Sequence, residues 1–144
     1  MVEQDTIKLL RECDAGVKMG ISSINDVIDY VYDTGLRNKL EECKEKHSTL
    51  KKEIEEALDE FHDDGKDPNP IAKGMSVLET NVKLIINESD ATIADLMTKG
   101  CNMGIKSLNK YLNQYKAASE RAKDIAKKLI KQEEELVKGI CRYL

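Results

Sequence analysis

The side chains of this chain that could do chemistry are few and far apart. Its histidines are His47 and His62, and its cysteines are Cys13, Cys43, Cys101 and Cys141. No CxxC pair occurs, so neither a zinc knuckle nor a redox dithiol is indicated. Thiols so spaced read as small buried hydrophobes. His62 stands beside Asp63 and Asp64 where a helical pattern runs out, and reads as solvated. His47 and Glu133, by contrast, fall inside apolar runs of helical spacing, as do Asp14 and Thr98. Two readings suit His47 and Glu133. They form a buried hydrogen-bonded pair that fixes helix register, or they are what remains of a metal site for iron or zinc. The second needs one or two further donors, such as Cys101 or Asn102. The register pair is the preferred reading, with no cofactor. No phosphate-binding glycine loop and no nucleophile–base constellation is present, so no catalytic residue is assigned and no enzymatic activity is expected.

The elements that must position these residues are long helices. Ile7, Leu10, Asp14, Val17, Ile21, Ile24, Ile28 and Val31 step by three and four, which predicts a helix with one aspartate in its seam. Asp5 is its expected N-cap and Thr34-Gly35 its expected stop. A second seam runs from Leu36 to Phe61 through Cys43 and His47, and Gly65 ends it. Residues 65–70 (GKDPNP) form a loop holding both prolines. A shorter helix carries Ile71, Met75, Leu78, Val82 and Ile85, and Asn87 to Asp90 break it and cap the next. The third long helix carries Ala94, Thr98, Cys101, Ile105, Leu108, Leu112 and Tyr115. The fourth carries Ala122, Ala126, Leu129, Glu133, Leu136, Ile140 and Leu144. Counted from the turns, His47 lies level with Ile21 and Glu133 with Asn102, which brings the two towards mid-bundle. Asp14 lies about 10 Å nearer the open end of its hairpin.

Residues 16–31 (GVKMGISSINDVIDYV) return 84 positions later as residues 100–115 (GCNMGIKSLNKYLNQY). Such a repeat predicts that one helical hairpin is used twice. Hairpins 5–64 and 89–144 then flank a crossover at 65–88, all within one domain, 1–144. A 28-residue helix is roughly 42 Å long, and the crossover offers about 27 Å of helix plus about 16 Å of extended loop. It can therefore carry the chain to the opposite end of the bundle. An up-down-up-down bundle is the alternative. Gly16, Gly20, Gly100 and Gly104 recur with the repeat. A glycine inside a helix costs roughly 0.5–1 kcal/mol against alanine, so the four are expected to let the first and third helices approach. A subunit interface or room for a ligand is the other use. Asn25 and Asn109 are expected to bridge helices, and Met19 and Met103 to pack.

Composition narrows the class. The chain is 40% hydrophobic and 35% charged with net charge −4, as a mostly helical protein with charged outer faces would be. Lysines and glutamates interleave, so no basic stripe recommends nucleic acid. No run approaches the ~18 apolar residues of a membrane span. The N-terminus lacks a signal-peptide core, so a cytoplasmic protein is expected.

Two hairpins joined by a long crossover resemble the ferritin-like four-helix bundles, and more narrowly the small bacterial ferritin-like proteins of unknown function. LLRECDAG, EKHSTLKKEI, DPNPIAKGM and KQEEELV carry the resemblance. It implies an all-α bundle with an inward-facing di-iron centre, yet the residues depart from that centre. A Glu-x-x-His would be needed on two helices, but Lys44 precedes His47 by three and no histidine follows Glu133 or Glu134. The functional expectation is a structural or protein-interaction module without intact di-iron ligands. The alternative is a metal-binding protein with a reduced site at His47 and Glu133. Val77 and Leu84 make a second apolar line on the short helix, from which a homodimer is expected.

Overall fold

The computed structural model describes residues 2–68 and 89–144, all of whose regular elements are helical. The expected short helix at 71–85, with Val77 and Leu84, lies outside the described residues. Four long helices are present: α1 (Val2–Val27), α2 (Thr34–Asp59), α3 (Asp90–Gln114) and α4 (Glu120–Ile140). Single 3₁₀ turns follow α1 and α4. Each helix is amphipathic because apolar residues recur every three or four positions, and the seams so formed are buried.

Hydroxyl and carboxylate caps set the helix starts. Asp33 accepts the Leu36 N–H at 3.0 Å, Ser89 the Thr92 N–H at 3.1 Å and Ser119 the Ala122 N–H at 3.2 Å. Two expected boundaries differ. Helix α1 already begins at Val2, so Asp5 is inside it, and its carboxylate accepts the Ala117 N–H at 3.0 Å. Thr34 and Gly35 do not stop α1; with Asp33 as N-cap they form the first turn of α2.

The most extensive packing is within each hairpin, α1 on α2 and α3 on α4, so each hairpin forms one layer of a two-layer bundle; between the layers α4 packs on both α2 and α1, and α3 on α1. Hydrogen bonds between loops and helix ends give the directions. The Asp90 carboxylate at the start of α3 accepts the N–H groups of Tyr32 and Asp33, each at 2.9 Å. At the other end Thr6 accepts the Ser119 N–H at 2.8 Å, and Arg121 of α4 pairs with Glu60 just beyond α2 at 2.7 Å. Helices α2 and α3 therefore point the same way, antiparallel to α1 and α4. At the far end of α4, Tyr143 packs its hydroxyl on Gly35 and donates to Asp33.

The apolar core falls into two clusters. One is built on Leu9, Val17, Leu50, Ile54, Leu108 and Leu129, the other on Ile24, Leu36, Leu40, Ile93, Leu136 and Ile140. Between them, on every helix, stands a residue that belongs to neither: Gly20 on α1, His47 on α2, Gly104 on α3 and Glu133 on α4.

Candidate functional site

This polar layer is where the sequence placed its chemistry. His47 is 1% exposed and Glu133 6% exposed. Each is seated against a glycine of its own hairpin's other helix. A β-carbon on Gly20 would lie 2.7 Å from His47 Cδ2 and 2.8 Å from Nε2. One on Gly104 would collide with both carboxylate oxygens of Glu133. The two missing side chains thus make notches, one filled by the imidazole and one by the carboxyl group.

The close approach of α1 and α3 expected from the four glycines is corrected accordingly. Gly20 and Gly104 make room for side chains, not for a neighbouring backbone. Gly16 has only Leu129 Cδ2 of α4 near, at 3.6 Å from its β-carbon position, and Gly100 is exposed with nothing within 4 Å. Asn109 donates to the Ile105 carbonyl of its own helix at 2.8 Å instead of bridging helices. Met103 stands in solvent, 71% exposed.

The expected His47–Glu133 hydrogen bond is not formed. His47 Nδ1 lies 3.7 Å from Cys43 Sγ, one turn earlier on α2. The Gln132 amide and the Cys43 carbonyl favour its cation, but burial dominates and pushes the imidazole below its usual range. Gln132 Oε1 is itself buried without a partner of good geometry. Glu133 Oε2 likewise has no partner. Burial alone pushes that carboxyl group up to about 8, and no neighbouring cation opposes it. Burial also pushes the Cys43 thiol up to about 12 and Cys101 further, each with the Glu133 carboxylate as second cause. At neutral pH the layer is uncharged: a neutral imidazole, a carboxylic acid and two thiols.

Asp14 belongs to different machinery. It is 1% exposed, and its Oδ2 accepts the Lys66 N–H at 3.0 Å and pairs with Lys18 at 2.7 Å. Gly65, at φ +86°, leaves no room for a β-carbon beside that oxygen. Asp14 therefore holds the loop leaving α2 against α1, and Lys18 reaches on to Asp67 at 3.2 Å. Asp14→Asn keeps one acceptor for the Lys66 N–H but removes the ion pair. It should lower stability by about 1 kcal/mol, read as a fall in the urea midpoint. Thr98, its counterpart in the repeat, has a buried hydroxyl without a partner among the described residues.

Among the described residues no three His, Cys, Asp or Glu side chains are grouped so as to hold a metal ion. No family model, curated protein or solved structure matches the chain. What the site can do chemically must be read from its own residues. Burial is what holds the protons on Glu133, Cys43 and Cys101. The sequence missed Gln132 and Cys43 as neighbours of His47. The four-residue spacing of Cys43 and His47, which places both on one helix face, was the available signal.

Proposed function

We propose that this chain is a ferritin-like bundle used as a structural or protein-interaction module, with no enzymatic activity of its own. Its outer faces are the working surfaces, and the inner layer sets helix register. Helix direction supports the architecture. Residues 65–67 lie against Asp14 and Lys18 of α1, whereas Ser89 and Asp90 lie by Tyr32 and Asp33, roughly 20 Å further along the bundle at 1.5 Å per residue. That displacement supports a crossover between two equivalent hairpins. No helix among the described residues is long and apolar enough to cross a membrane, and a cytoplasmic location is part of the proposal.

The shortage of donors in the inner layer carries the reading. A di-iron centre needs four carboxylates and two imidazoles facing inward. This layer offers one carboxyl group, Glu133, and one imidazole, His47. The residues present do not fit such a centre. The unpartnered Glu133 Oε2 is the one observation favouring the alternative, a reduced iron or zinc site at His47 and Glu133. Elemental analysis of untagged protein separates the two. Less than about a tenth of an equivalent of iron, zinc or manganese is expected. Stoichiometric metal that is lost in His47→Ala would replace the module reading with the metal-binding one.

A further inference from the structure

The charges of this chain are not spread evenly over its two layers. Residues 2–68, the α1–α2 layer, hold 10 Lys and Arg against 18 Asp and Glu, a formal charge of −8. Residues 89–144, the α3–α4 layer, hold 11 against 7, a formal charge of +4. The modest net charge of the whole chain conceals this opposition.

Ion pairs along the seam between α2 and α4 use only part of it. Lys128 meets Glu53 at 3.3 Å, Glu135 meets Lys46 at 3.4 Å and Arg121 meets Glu60 at 2.7 Å. The surplus is left on the outer faces. On the α3–α4 layer Lys106, Lys110, Lys116, Lys127, Lys131 and Lys138 are exposed without an ion-pair partner among the described residues, against two acids in the same condition, Asp124 and Glu134 of α4. On the α1–α2 layer Glu41, Glu45, Glu56 and Asp59 of α2 are exposed and equally unpaired, against Lys39 and Lys52 of the same helix.

We infer that the basic α3–α4 face docks on the acidic α1–α2 face of a second copy of this chain. The occupant follows from complementarity: each face finds its opposite on every other molecule, and no third component is required. The faces belong to opposite layers of the bundle, so the contact is head-to-tail. It need not stop at a dimer, because each added copy presents a free face of either sign. Exposed ion pairs contribute little singly and are screened by salt, so the contact forms at low ionic strength and high protein concentration. The inference rests on the module reading in taking the outer faces as working surfaces. Metal content tests that reading, and ionic strength tests this one.

Sedimentation velocity on the full chain decides it, at about 20 mM and about 300 mM salt, where the Debye length falls from ~20 Å to ~6 Å. At low salt and high micromolar protein the weight-average mass should exceed twice the 16.3 kDa of one chain and keep rising with concentration. At high salt it should return to one chain. Lys127→Glu with Lys131→Glu, both at exposed positions, should abolish the rise with helix content unchanged by circular dichroism. Adding Glu41→Lys and Glu45→Lys to that variant should restore at least half of it. Monomer at low salt overturns the inference, as does association indifferent to salt. A monomer that is retained on heparin through Lys127 and Lys131 also overturns it, and assigns the basic face to an anionic partner instead.

Discussion

Glu133→Gln is expected to leave stability unchanged near pH 5 and to raise it by about 3–5 kcal/mol at pH 8.5. The carboxyl group is held at about 8 in the folded chain, against 4.5 for an ordinary glutamate. Between those values the folded state binds the extra proton, so stability falls as pH rises. The contribution is fully present below about 4.5 and lost as pH passes through 8. A separation of roughly 3.5 units is worth about 5 kcal/mol at 1.36 kcal/mol per unit, a large fraction of the 5–15 kcal/mol of a typical domain. Glutamine keeps the shape and never ionises. His47 acts in the opposite sense: its lowered pKa gives stability that is present above about 6.5 and lost in acid. The buried thiols enter only above pH 9, where they ionise first in the unfolded chain. Urea midpoints at pH 5 and pH 8.5 for both proteins make the test. Parallel pH profiles would mean that Glu133 is ionised or hydrated in the folded chain.

Much of this layer was legible because a seam residue of the wrong polarity is conspicuous. His47 and Glu133 interrupt runs in which every third or fourth residue is apolar, and helix counting put both near mid-bundle. Their relation to each other was not legible. Counting along a helix gives depth but not the angle at which a side chain leaves it, and that angle turned His47 and Glu133 each towards its own hairpin's glycine. The recurrence of Gly20 and Gly104 was visible, and so was the polar residue in each following helix. Only the backbone joins the two facts, since a notch matters when something fills it. Gly100 recurs just as faithfully and fills no such role. Asp14 was legible as a buried seam residue, but its role was not. One partner, Lys18, stands a turn further along α1, whereas the other is a loop N–H, that of Lys66, which the chain supplies only after α2 has ended.

Gly20→Ala should destabilise the protein by about 2 kcal/mol, although alanine is the better helix former. The propensity gain of roughly 1 kcal/mol is set against an overpacking cost at the upper end of the usual range, about 3 kcal/mol. The new methyl group would lie 2.7 Å from His47 Cδ2, so either the imidazole or α1 must move. A planar ring close to the backbone, with Leu40, Cys43 and Leu50 buried along the same helix, has little freedom to give. Gly104→Ala meets the far end of a flexible glutamate instead, and its loss should be smaller, about 1 kcal/mol. Gly100→Ala is the control: with open space around it, only the propensity term acts, and it should stabilise by about 0.5–1 kcal/mol. Combining Gly20→Ala with His47→Ala removes the clash and lets the new methyl enter space the ring has left. The double variant should therefore lose at least about 1 kcal/mol less than the sum of the single losses. Additive losses, or a Gly20→Ala protein as stable as Gly100→Ala, would show that His47 does not sit in the Gly20 notch in solution.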